Sequence, residues 1–143
     1  MRTVWITALT AGCVLAATIA LASCSPRPVR TVNLDGERWI VYEGLQDGMR
    51  GLPGFGDTDG MLFDMGKEVD PSGAAFSMEE VDFPVDIAWF DGSGALVSTT
   101  SMAPCTTAPC PLYHADRPYR WAVEAPPGAF AELSALARLD VGD

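Results

Sequence analysis

Two carboxylates in apolar company, Asp86 and Glu124, are the residues best typed for acid–base chemistry. A glycosidase holds two such groups about 5 Å apart, or about 6.5–9.5 Å when a water must fit between them. These two sit in strand-like segments, VDIAWF and YRWAVE, and form the candidate catalytic pair of a carbohydrate- or envelope-active hydrolase. Acids in strands more often face solvent or pair with an arginine, and Arg50 and Arg120 are available. Nucleophilic catalysis of the Ser-His-Asp kind needs a histidine beside its nucleophile. The only histidine, His114, lies in a polar stretch, HADRPYR, and reads as a solvated loop residue. Thioethers can hold Cu(I), but Met61 and Met65, four residues apart, would stand roughly 13 Å apart in a strand. Met49, Met61, Met65, Met78 and Met102 all have apolar neighbours and read as core packing. No metal or other cofactor is expected. A non-catalytic reading uses Arg50, Met78, Asp86 and Glu124 as the lining of a ligand pocket, beside glycine-rich loops that can approach a ligand closely.

The elements that must position these residues are mostly strands. Thr31 to Leu34 and Glu37 to Glu43 flank Asp35-Gly36, a two-residue hairpin signal. Glycine-rich chain follows, LQDGMRGLPGFGDTDG, with one helical turn expected near Leu45, and then the apolar runs GMLFDM and AAFSM. Residues Val85 to Phe90 alternate, with Val85, Ile87 and Trp89 on one face and Asp86, Ala88 and Phe90 on the other. DGSG turns the chain into ALVSTTSM, and YRWAVE ends at Pro126-Pro127-Gly128. In AFAELSALA, Phe130, Leu133 and Ala137 fall at helical spacing. The fold class these runs predict is mostly β: a small single-domain β-sandwich or barrel-like fold with one short C-terminal helix.

Where the domain works is read from its N-terminus, MRTVWITALTAGCVLAATIALASCS. Arg2 starts an apolar run from Val4 to Ala22, close to the roughly 20 residues of a membrane span. Leu21-Ala22-Ser23-Cys24 then forms a lipobox, with small residues before a cysteine that takes diacylglycerol. Residues 1–23 are therefore expected to be a lipoprotein signal peptide, and 24–30 a lipidated Cys24 followed by a Pro/Arg tether. Residues 31–143 form the β domain. An uncleaved signal anchor would leave the domain on the same side, because Arg2 keeps its flank cytoplasmic. The expected location is the cell membrane, lipid-anchored on its extracytoplasmic face, with two acyl chains making the anchor stable.

Outside the membrane, thiols are oxidised. Cys105 and Cys110 are the cysteines left once Cys13 and Cys24 are assigned to leader and lipid. Their five-residue step would span roughly 17 Å if extended, whereas a disulfide needs α-carbons within about 7 Å. Thr106-Thr107-Ala108-Pro109 must therefore turn back. Zinc would need a second ligand pair, and a redox pair is more often C-x-x-C, so a structural disulfide is expected. Nine basic residues against nineteen acidic ones give a net charge of −10, and no basic cluster exists to neutralise phosphates. Nucleic acid is excluded as a partner. The partners expected are the membrane, through the anchor, and an envelope protein or glycan.

Several blocks in order carry a family resemblance: MRGL (Met49 to Leu52), GMLF (Gly60 to Phe63) and FSMEEVDFPVDIAWFD (Phe76 to Asp91). SMAPCTTAPCPLY (Ser101 to Tyr113), WAVEAPPG (Trp121 to Gly128) and the terminal VGD complete the series. From roughly Trp39 to Asp143 the chain resembles the bacterial and archaeal family called domain of unknown function 192. The resemblance implies a compact β-sandwich or barrel-like domain, often exported, and no established activity, substrate or cofactor. Where the family commonly shows F-W-M-K-N-T, this chain has Phe76-Ser77-Met78-Glu79-Glu80-Val81, losing an aromatic and reversing the local charge. The function these readings favour is a membrane-tethered binding or accessory domain of the envelope; the paired-carboxylate hydrolase is the alternative.

Overall fold

The computed structural model describes residues 27–44 and 46–142. The leader, its cleavage site and Cys24 lie outside them. Nine strands follow in chain order: β1 (Val29–Leu34), β2 (Glu37–Glu43), β3 (Gly60–Val69), β4 (Phe76–Ser77), β5 (Val85–Phe90), β6 (Leu96–Met102), β7 (Leu112–Tyr113), β8 (Tyr119–Ala125) and β9 (Leu139–Asp140). Seven of them form one curled sheet, a half-barrel, in the order β6-β5-β8-β3-β2-β1-β9. The remaining two, β4 and β7, make a separate antiparallel ribbon.

The β1–β2 hairpin turns where the sequence places it. Asp35 and Gly36 both have positive φ, 52° and 91°, which matches the twist of the strands they join. Asn33 Oδ1 steadies the turn by accepting from the Gly36 N–H at 2.9 Å. From β2 the chain crosses over to β3, which runs parallel to it with Val41 opposite Gly60. Central β8 is antiparallel to both β3 and β5.

Alternation along β5 separates two cores rather than core from solvent. Val85, Ile87 and Trp89 join Met49, Met61, Met78, Met102 and Tyr119 in one cluster. Ala88 and Phe90 join Val32, Leu34, Leu62, Trp121, Val123 and Phe130 in the other. A single sheet buried on both faces replaces the two facing sheets of a sandwich. Its ends meet at one corner, where Leu139 N–H donates to Gly94 O at 2.8 Å and Leu96 N–H to Ala137 O at 3.0 Å. Gly94 has φ of 81°, and a Cβ there would collide with the Leu139 carbonyl oxygen.

The expected C-terminal helix does not form; no helix occurs among the described residues. AFAELSALA is a succession of turns, with N–H groups of Ala129, Ala131, Leu133 and Ala137 donating to Pro126, Gly128, Phe130 and Ser134 respectively. Each bond reaches back three residues, not the four of an α-helix. Ser134 Oγ also accepts from the Leu136 N–H at 3.2 Å, the local competition that makes serine a poor interior helix residue. Phe130 stacks on Trp39 with ring centroids 5.8 Å apart and planes 7° apart. The apolar spacing serves to cap the second core. Leu45, where a helical turn is expected, lies outside the described residues, and residues 46–51 beside it form turns.

Candidate functional site

Glu124 stands on β8 directly opposite Met61 of β3 and Ile87 of β5. Both neighbours are fully buried, so the register alone delivers this carboxyl into the first core's face of the sheet. The residue is 4 % exposed, and its Oε2 has no hydrogen-bond partner among the described residues. Loss of water penalises the charged form, and burial raises the Glu124 pKa from 4.5 to about 7. Tyr119, at the start of the same strand, is also fully buried with a hydroxyl that has no partner among the described residues, and desolvation raises its pKa.

Both side chains line a cavity of about 530 Å³, within the size range of small-molecule sites. Its walls include Met49, Phe63, Phe76 and Met78, and its rim includes Asp47, Arg50, Asp64 and Glu79. Phe76 of the β4 ribbon packs edge-on against Phe63 at 5.2 Å and lies 6.4 Å from the Tyr119 ring. The ribbon and the loop around Met49 thus make the two sides, and the sheet makes the floor.

The acids and the arginine of the rim are held in separate ion pairs. Arg50 donates to Glu79 at 2.9 Å and to Glu80 at 3.1 Å. Arg120 pairs with Asp64 at 3.4 Å, and Arg27 with Asp47 at 3.2 Å. Glu80 has φ of 59° and is held there by its N–H, which donates to Cys105 O at 3.0 Å. Cys105 N–H in turn donates to Val81 O at 3.0 Å. Cys105 and Cys110 form the disulfide, with α-carbons 5.8 Å apart, so the intervening residues do turn back. The staple therefore supports the acidic rim.

Of the residues singled out in the sequence, Arg50, Met78 and Glu124 come together around this cavity. Asp86 does not join them. It pairs across the sheet with Ala125, one residue from Glu124, and so projects from the opposite face. There its Oδ2 accepts from the Gly128 N–H at 2.7 Å. The two carboxylates do not converge on one substrate position. His114 is exposed, with Nδ1 donating to Pro71 O at 2.8 Å. Met49, Met61, Met78 and Met102 are buried in the first core. Among the described residues no group of three or more His, Cys, Asp and Glu could hold a metal ion. Sequence reasoning missed Tyr119, Phe63 and Phe76; the signal was an aromatic with a polar tip opening the same strand as Glu124.

Two solved structures share this fold. A protein from Sinorhizobium meliloti 1021, described as a candidate transcription regulator, superposes with a TM-score of 0.66 at 16% identity, covering 80% of this chain and 94% of its own. A protein of unknown function from Novosphingobium aromaticivorans DSM 12444 gives 0.64 at 17% identity, covering 81% and 87%. At such identities the likeness is one of fold alone. No curated protein matches the sequence. A family model described as "Uncharacterized ACR" matches residues 42–140.

Proposed function

The chain belongs to the DUF192 family, and from that premise we propose that it is a non-catalytic envelope binding domain that takes a ligand into the Glu124 cavity. A lipid on Cys24 holds it at the outer face of the cell membrane. The observation that carries the reading is Glu124 itself: buried, without a partner on Oε2, and lining an open cavity. An unpaired buried carboxyl costs stability, and a ligand that supplies the missing partner recovers it. Asp86 on the opposite face leaves paired-carboxylate hydrolysis without a second acid from that strand pair. The lipobox LASC supports the anchor, and the disulfide is at home in an oxidising compartment. Transcriptional regulation is not carried over from the Sinorhizobium protein, because a chain of net charge −10 repels nucleic acid. The ligand is part of an envelope protein or glycan.

Retrieval from crosslinked membranes tests this, with full-length wild type set against Glu124→Gln. The wild type retains one defined envelope component that the variant loses. Identical retrieval by both, or none by either, overturns the reading. Fractionation of Cys24→Ala tests the anchor separately: the variant leaves the membrane fraction, and unchanged acylation and retention would contradict it.

A further inference from the structure

We propose that the group bound against Glu124 is an organic ammonium on an apolar body, which names the ligand class of the binding cavity proposed above and rests on that reading. Glu124 and Tyr119 both line the cavity, and Glu124 Oε2 and the Tyr119 hydroxyl are buried without a hydrogen-bond partner among the described residues. An ammonium carries three N–H donors and no acceptor, so it can serve Glu124 Oε2 and bring the charge that a desolvated carboxylate lacks.

Charge disfavours the opposite ligand. Arg50, the arginine that lines the cavity, is already committed to Glu79 and Glu80. A phosphate or carboxylate would find no unpaired guanidinium on the lining and would face Glu124. A neutral alcohol could hydrogen-bond but would leave the buried charge uncompensated. On the cavity's lining four acids stand against one arginine, and the chain's net charge of −10 adds to the field that draws cations in. Phe63 and Phe76 present aromatic walls and Met78 a thioether, surfaces suited to the apolar body and to a cation near a ring.

The test is calorimetric titration of the full chain in detergent micelles at pH 8. Its probes are 2-phenylethylammonium, the neutral 2-phenylethanol and the anion 3-phenylpropanoate. The ammonium binds at least about tenfold more tightly than the alcohol, and the anion does not bind. Glu124→Gln abolishes that preference and keeps alcohol binding. A wild-type measurement guards against a misfolded variant: at pH 7, in two buffers of different ionisation heat, ammonium binding releases protons and alcohol binding does not. Asp47, Arg50, Asp64, Glu79 and Tyr119 also face the cavity. The Asp64 carboxyl is held low, with a Gly66 backbone hydrogen bond and Arg120 outweighing its desolvation, and the Tyr119 phenol is pushed up, so the released proton comes from Glu124. Equal affinity for ammonium and alcohol, or tighter anion binding, overturns the ammonium assignment and leaves the cavity a binding site. Failure of all three probes to bind overturns both.

Discussion

Glu124 ties pH to stability in a way its surroundings dictate. The folded chain keeps a proton on this carboxyl up to about pH 7, whereas the unfolded chain releases it near 4.5. Between those values the folded state binds more protons, so stability falls as pH rises through the window. The fall is on the order of 3 kcal/mol for this one group. Urea denaturation at pH 5 and pH 8 checks it: Glu124→Gln, which cannot ionise, should lack that decline and be the more stable form at pH 8. An equal decline in wild type and variant would count against an unpaired buried carboxyl. Glu124 was legible as an acid between apolar residues. Its burial was not, because Met61 and Ile87 reach it from strands more than thirty residues away in sequence. The partners of Arg50 proved to be Glu79 and Glu80, in the very block where this chain departs from the family's usual residues.

At the scale of elements, periodicity told strand from loop well and failed where turns imitate a helix. The period-two run of β5, the strand-like run of β8 and the Asp35-Gly36 hairpin are local signals, and they formed as strands and turn. AFAELSALA has helical spacing too, but it starts at the Gly128 turn and is pinned by Phe130 on Trp39 and by bonds from the 95–96 backbone. Those are long-range contacts that no window of sequence contains. One of them makes a sharp prediction. Gly94→Ala combines a φ of 81° with a Cβ driven into the Leu139 carbonyl oxygen. It should open the corner between β6 and β9 and cost at least about 2 kcal/mol. Hydrogen exchange at the Leu139 and Leu96 amides would report the opening, and unchanged protection would contradict it. The disulfide acts on a neighbouring element: Cys105→Ala with Cys110→Ala should cost about 2 kcal/mol, the chain-entropy value for so short a loop. It should also loosen Glu79 and Glu80, whose segment bonds to the Cys105 backbone. Denaturation of the double variant, with amide exchange at Glu80, measures both.

At the scale of the whole molecule, a curled sheet with a core on each face leaves an opening into the first core beside β8, edged by ion pairs and floored by the buried Glu124. The mostly β class was legible because strands and turns announce themselves locally. A barrel-like form was one of the two expected, but the strand order was not legible, since β8 lies between β3 and β5 through pairings remote in the chain. The candidate site was half legible: Arg50, Met78 and Glu124 meet there, whereas Asp86 faces the other way. A net charge of −10 on the whole chain makes association with a cationic ligand faster at low salt and slower at high salt. The most direct measurement is a carbon-13 NMR titration of the Glu124 carboxyl in the full chain, without and then with 2-phenylethylammonium. A midpoint near pH 7 that drops when the ammonium is added is the predicted result. A midpoint at the ordinary 4.5, unmoved by the ammonium, would mean a solvated or internally paired acid and would contradict the account.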